Sequence, residues 1–535
     1  MTSAQTYPIE RSLSELMDNY HELTKHHFKG YAPGPETLDW DDQPDPFRQY
    51  EGTKTIDLKV FSRGDHKPYF FTELMNGQHI PEMLTLENIS FFLQFCAGLT
   101  AWKTYGPDSW SLRAVPSSGN LHPGELYLLL PHTMFCNAGI YHYNVYSHQL
   151  ELRRELDILN TFDIHIIQTS VIQRELWKYG ERALRYCWLD AGHQLSQCHA
   201  VAGMLGWRLS PVTMSKLQLR SLCGLPDSGF KGQGKEYPEW IYRVSRADTQ
   251  LDKEDSIFPL VFSGEWQGTA NNLGSEFVIN WPNAQETAEA NELTTTPSLT
   301  CIGNNKPTGT DTSQNAADII LSRRSGQAYN GTATYNLADF EQLISTLIPG
   351  STQLIPDSTA IHILCFVHSV EGLEPGIYLI PRSDSGATLI QNCIQRWQPW
   401  SETSLEGIPN SWLIKSSNTR KAVGQLSCNQ AIAANSCFTL FFLGEYAALY
   451  SELDQGSYSD LYLEAGMLGQ QLYLQTTAQG YSGTGIGCFF DDAIHELLGL
   501  EDKSLQALYG FAVGEPIKDS RITQLSGYYH LKRGE

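Results

Sequence analysis

Four short stretches concentrate the residue types that do chemistry. Ile320–Gly331 reads ILSRRSGQAYNG and sets Arg323 and Arg324 beside Ser325, just after a short helical run. Guanidinium forks and a hydroxyl can hold a phosphate, although Arg-Arg pairs are common on plain surfaces. Pro116-Ser117-Ser118-Gly119-Asn120 feeds the apolar run that ends at Leu130. Such a turn presents N–H groups and small side chains, so a flat ring can come close to the main chain; it also suits a simple turn before a strand. Lys178 and Tyr179 are adjacent titratable groups ahead of an apolar helix and could move protons, or they could belong to a solvated loop. Thr484-Gly485-Ile486-Gly487 is glycine-rich, but it follows a helix and lacks the G-x-G-x-x-G spacing of a dinucleotide fold. No phosphate loop of the G-x-x-x-x-G-K type occurs, and no local Ser-His-Asp or Cys-His signature does.

The elements around these stretches follow from periodicity. Glu125–Leu130 and Ile361–Val367 predict buried strands. Residues 184–205 and 460–479 predict long helices that are apolar on most faces, as expected of helices held between two subunits or repeats. The chain also repeats itself. GIYHYNVYSHQLEL from Gly139 matches GIYLIPRSDSGATLI from Gly376, each predicted as strand, turn and strand. Asp190-Ala191-Gly192 and Glu464-Ala465-Gly466 each open an apolar, small-residue helix. The second copy carries about 37 extra residues between the landmarks. The boundaries we draw are a Pro-rich loop wrapping the surface over 1–55, a first domain over 56–245, a polar linker over 246–316 and a second domain over 317–535. Helix and strand mix in both halves, so the fold class is α+β.

Composition narrows the function. The 535 residues are 41% hydrophobic and 18% charged, with 12 Trp, 26 Tyr and 22 Phe, a globular balance. A net charge of −22 repels phosphate backbones and anionic lipids, so nucleic acid and membrane surfaces are poor partners. No apolar run reaches membrane-helix length and the N-terminus has no secretory h-region. The 11 cysteines form no Cys-x-x-Cys pair and no zinc spacing, so reduced thiols in the cytoplasm are expected. His21, His26 and His27 lack the carboxylate or thiol partners that would make a metal site.

Taken together, SRRS, PSSGNLHP, GIGCFFDDAIHELLGL and FAVGEP resemble the nitroreductase superfamily. PSSGNLHPGELYLL, KYGERALRY and LDAGH are similar to its SagB-type dehydrogenases, flavin oxidases that convert thiazolines and oxazolines of modified peptides to azoles. The resemblance implies two three-layer α/β/α domains in one chain, folded as an internal pseudo-dimer around FMN. Arg323, Arg324, Ser325, Gly485, Ile486, Gly487 and Arg521 would bind the cofactor from the second half, and Pro116, Ser117, Ser118 and Asn120 from the first. Lys178 and Tyr179 match the pair implicated in azoline oxidation. Each half lacks the other's motif: Phe61-Ser62-Arg63-Gly64 stands where a second Arg-Arg-Ser would fall, and IPGSTQLIPDSTA precedes Ile361. One complete composite site and one lost site are therefore expected. The substrate is expected to be small or peptide-derived. The alternatives are an NAD(P)H-dependent nitro or quinone reductase and a non-catalytic scaffold.

Overall fold

The computed structural model describes residues 12–77, 80–158, 164–225, 234–248, 261–262, 264–274, 280–303, 314–447 and 457–531. Two antiparallel sheets organise it. The first runs, in spatial order, Val261–Phe262, Gln149–Ile158, Gly139–Asn144, Gly124–Leu130, Ile164–Val171, Glu236–Arg246 and Trp207–Pro211, with Thr55–Asp57 added beside Gln149–Ile158. The second runs Ser401–Glu402, Trp412–Ser416, Gly376–Ile380, Ile361–Val367, Phe438–Glu445, Leu505–Gly514 and Ser482–Ile486. Apart from the short edge strands Val261–Phe262 and Ser401–Glu402, which enter at different points of the chain, the two orders trace one path, so the fold is α+β and duplicated. The equivalent central strands, Gly124–Leu130 and Ile361–Val367, are buried in all but the opening glycine of the first. That burial is why they read as continuous apolar runs instead of alternating ones.

Two 22-residue helices, Ala183–Met204 and Ser457–Ala478, lie face to face between the sheets. Every residue of the first is buried. The repeated Ala-Gly pairs explain how they meet. A Cβ on Gly192 would collide with the Leu463 carbonyl, and one on Gly466 with the Leu189 carbonyl. Glycine at both positions brings the backbones into contact where the halves cross.

The halves also exchange segments. The helix Ala316–Ser322 buries Ala316, Ala317, Ile319 and Ile320 in the core of the first half. Near the C-terminus, Thr523–Ser526 pairs with Leu99–Tyr105. Between the halves, Asp491 accepts from Arg185 at 2.7 Å and Arg182 at 3.1 Å, all three side chains being buried. Burial would raise the Asp491 carboxyl, but the two guanidiniums outweigh it and hold it well below the usual carboxylate range.

Three expectations need correction. The wrapping segment is not all loop. Leu13–Leu23 is a helix started by a Ser12–Glu15 capping box and pinned by Tyr20, which donates to the Glu181 carbonyl at 2.7 Å. The stretch after Gly376–Ile380 does not return as a strand: Ser383 caps a helix over Asp384–Cys393, whose Ala387 and Ile390 face the core. Within the polar linker, Pro282–Asn291 forms a helix with Pro at its start, and Glu181 accepts from the amides of Asn283 and Ala284. The remainder of that linker lies partly outside the described residues. Among the described residues no helix is long and apolar enough to cross a membrane.

Candidate active site

One cavity is built from both halves. The Pro116–Gly119 turn of the first half faces Gly485, Ile486, Gly487 and Cys488 of the second, with Tyr179, Tyr186, Asp190, His193, Gln430, Tyr473 and Tyr509 completing the wall. The turn is held from within: the His122 amide donates to Ser117 Oγ at 2.8 Å and the Asn120 amide to the Ser117 carbonyl at 3.0 Å. Gly119 has φ of 60°, and a Cβ there would sit 2.7 Å from Tyr179 Oη and 3.0 Å from Lys178 Nζ. Cβ atoms on Gly485 and Gly487 would collide with Tyr509 and Tyr186. The wall thus needs glycine at three positions for tyrosine and lysine side chains to pack against the main chain.

Asp190 sets the electrostatics. It is only 7% exposed. Burial drives its carboxyl up to about 7, against hydrogen bonds from Ser117 and Ser118 that pull it down. The Ser118 amide donates to both carboxylate oxygens at 3.2 Å, and Ser118 Oγ donates to Oδ1 at 3.1 Å. Near neutral pH this group can take or give a proton. His193 stays neutral, because burial lowers it to about 3. Its Nδ1–H donates to Gln470 Oε1 at 3.1 Å, and Nε2 accepts from Tyr509 Oη at 2.9 Å. Burial lowers the Lys178 ammonium and raises the Tyr179 phenol. Behind them Glu175 is fully buried, neither of its oxygens has a partner among the described residues, and burial raises it well above the carboxylate range.

The expected binding residues divide. Pro116, Ser117, Ser118, Gly485, Ile486 and Gly487 line the cavity. Lys178 and Tyr179 stand over its Gly119 edge. Ser325 Oγ lies 3.0 Å from Tyr473 Oη at the same wall. Arg323 is buried beneath it, donating to the Ala114 and Arg113 carbonyls at 3.0 Å each, with its Nη1 buried and unpartnered. Arg324 turns the other way, into a groove shared with Arg63 and Lys518. Asn120 does not reach the cavity; its amide donates to the Ser111 carbonyl and fastens the turn. Arg521 does not either: it is on the surface, paired with Asp519.

Sequence reading missed Tyr186, Asp190 and His193. Their spacing of four and three residues puts them on one face of a helix otherwise read only as apolar, and that polar stripe was the available signal.

In the other half the equivalent carboxyl is ion-paired: Glu464, the repeat partner of Asp190, accepts from Ser358 and from Arg382. The groove along Trp207–Pro211 there presents Trp207, Arg208 and Pro211 where Ser482–Gly487 offers glycines, and the Gln353 side chain fills the space beside Gly203.

The fold is a duplicated sheet-and-helix unit with a cavity between its copies. Residues 402–515, within the second half, match the Nitroreductase family model. The crystal structure of a protein described as a nitroreductase from Anabaena variabilis ATCC 29413 superposes with a TM-score of 0.69, covering 94% of this chain and 99% of that one at 20% identity. The trifolitoxin-processing protein TfxB of Rhizobium leguminosarum bv. trifolii is 29% identical over 133 residues, 21% of this chain. The match spans only 36% of that relative's length.

Proposed function

We propose that the chain is an FMN-dependent oxidoreductase of the SagB type, with one composite cofactor site that oxidises a peptide-derived heterocycle. The observation that carries this reading is the convergence of the Pro116–Gly119 turn and the Gly485–Cys488 strand end on one cavity. Three features fit a flavin mononucleotide. Glycines at 119, 485 and 487 keep the two cavity-lining main-chain segments free of side chains there, with Tyr179, Tyr186 and Tyr509 packed beside them. Arg323 offers a buried, unpartnered Nη1 to an anionic oxygen. Ser325, beside Tyr473 at the same wall, offers a hydroxyl to a phosphate.

Bound there, the flavin would supply hydride acceptance. The chain's own residues do the rest. Amides of the two glycine-rich segments orient the ring and favour charge on its reduced form. Tyr179 and Tyr186 wall the substrate face. Lys178, Tyr179 or Asp190 takes the proton that leaves the substrate as its hydride departs. The substrate class comes from the SagB-like motifs and from the rhizobial relative, named as a processing protein. The ion pair that occupies Glu464, where Asp190 has none, supports a single site.

The test is flavin content. Purified protein, loaded with FMN and desalted, is expected to hold about one FMN per chain and to bleach with an azoline-containing peptide without NAD(P)H. Two FMN per chain overturns the single-site reading, and none overturns the cofactor. Bleaching by NAD(P)H alone, with none by azoline peptides, transfers the assignment to nitro or quinone reduction.

A further inference from the structure

The turn that faces the cavity carries an unfavourable backbone. Gly119, Asn120 and His122 all lie in the left-handed region, with φ of 60°, 61° and 52°. Glycine takes that region without steric cost, but other residues adopt it uncommonly. Part of the turn is tied locally. Ser118 donates to Asp190, the Asn120 side chain donates to the Ser111 carbonyl, and Nε2 of the buried His122 ring lies 3.0 Å from Asn120 Oδ1. None of these bonds engages the His122 carbonyl, where the turn runs on through Pro123 into the strand Gly124–Leu130.

Arg174 takes that carbonyl. It is fully buried, on the helix Ile172–Tyr179 that also carries Lys178 and Tyr179. Its Nη1 donates to the His122 carbonyl at 2.8 Å and to Glu125 Oε1 at 2.6 Å, and its Nε donates to the Asp45 carbonyl at 2.9 Å. One guanidinium thus joins the N-terminal segment, the strained turn and the strand after it. Glu125 is held from its other side, with Oε2 3.1 Å from His142 Nε2, and His142 Nδ1 lies 2.9 Å from Glu151 Oε2. All four side chains are buried. Burial would raise the Glu125 carboxyl, but Arg174 and His142 outweigh it and hold it well below the usual carboxylate range. The charged carboxylate fixes the guanidinium in turn, and a planar fork so fixed has little freedom to leave the His122 carbonyl. An ion pair serving stability alone would need only Glu125. The bond to His122 reaches the cavity wall, because the His122 amide donates to Ser117 Oγ, and Ser117 and Ser118 line the cavity.

We propose that Arg174 is a positioning residue for this cavity: from outside it, the guanidinium holds the 117–122 turn in its left-handed form and so sets Ser117 and Ser118 against Asp190 and the bound ligand. Without the clamp the turn relaxes towards commoner backbone angles, and the Ser118 amide and hydroxyl draw away from the Asp190 carboxyl. That the ligand is FMN rests on the reading given above; the clamp itself does not.

Two measurements on the full chain separate these. The first is hydrogen–deuterium exchange without flavin. In Arg174→Met, where Glu125 keeps His142 as its partner, peptides covering 116–123 are expected to exchange about tenfold or more faster, while the strand Ile361–Val367 is unchanged. Arg174→Lys keeps a charge for Glu125 but cannot fork to two carbonyls; it should fall between, and it carries the test if the methionine variant does not fold. The second is the FMN dissociation constant, read by flavin fluorescence, which should rise about tenfold or more in Arg174→Met. Arg382→Met, which removes a buried arginine from an ion pair in the other half, should lower stability and leave the FMN constant unchanged. Unaltered exchange over 116–123 overturns the proposal. So does an equal loss of FMN affinity in Arg382→Met, which would make the effect one of stability. No FMN on the unsubstituted protein defeats the cofactor reading, and the exchange measurement then decides the clamp.

Discussion

Asp190→Asn isolates the ionisation of the cavity's buried carboxyl while keeping its shape. In the fold this group titrates at about 7, against an ordinary 3.8, a span of about three pH units. At ~1.4 kcal/mol per unit, the folded state carries a penalty on the order of 4 kcal/mol once Asp190 is ionised. The sign follows from linkage: a folded pKa above the unfolded one means that the folded state binds the proton more tightly. Asp190 therefore costs nothing below the unfolded value, and its penalty grows from there through about pH 7. The asparagine variant, neutral throughout, should match the unsubstituted protein near pH 4. It should exceed it by a few kcal/mol near pH 8, less whatever Asn loses by accepting from Ser118 with one oxygen where the carboxylate uses two. Urea unfolding followed by tryptophan fluorescence at the two pH values reads the difference. A packing effect of the substitution would be the same at both. A variant advantage that does not grow with pH refutes the claim that Asp190 is held as a near-neutral acid, and with it the proton-transfer role.

The other predictions test the frame around that site. Asp491→Asn leaves Arg182 and Arg185 buried without an anion and should cost about 3–5 kcal/mol in urea unfolding at neutral pH. The Asp491 carboxyl is depressed, so its stabilisation is present above the ordinary Asp value and fades as pH falls through the folded one; the variant's deficit should shrink in acid, opposite to Asp190. Arg382→Met should destabilise by a similar amount, because Glu464 loses its buried cation, and adding Glu464→Gln should recover most of the loss in a double-mutant cycle. Lys178→Ala with Tyr179→Phe should lower turnover by about a hundredfold or more while the FMN content stays unchanged; full turnover would retire both as proton carriers.

Much of the fold could be read along the chain, because the informative elements are those whose periodicity burial enforces. Ile361–Val367 is a strand over its predicted span, since a strand covered on both faces has no polar alternation to blur its limits. The central helices fall within three residues of their predicted spans for the same reason. Legibility fails where local signals and tertiary contacts compete. Residues 383–393 resemble the strand-turn-strand of the first copy, yet Ser383 caps a helix whose apolar face packs below. Leu13–Leu23 was obscured by the Pro-rich stretch after it. At the site, sequence named the segments that meet, the Pro-Ser turn and the Gly-rich strand end. It could not show which way side chains turn: Arg323 goes under the cavity, Arg324 into a neighbouring groove and Arg521 onto the surface. Nor could it single out Asp190, whose chemistry comes from burial beside two serines.

Fusion accounts for the asymmetry. In a dimer of identical chains every substitution appears at both sites, so a change that abolishes one abolishes both. In a tandem chain each copy can change alone. Trp207–Pro211 could lack glycines while the opposite strand end, Ser482–Gly487, kept its own. Glu464 and Asp190 record the outcome at equivalent points on crossing helices. Glu464 is bound by Arg382, a structural ion pair. Asp190 faces the cavity with only hydroxyl and amide donors for support, too weak to hold it ionised against burial. A neutralised carboxylate contributes rigidity; one left near neutrality can exchange protons. That physical difference separates the two equivalent carboxyls: one is set in a structural ion pair and the other is placed to exchange a proton.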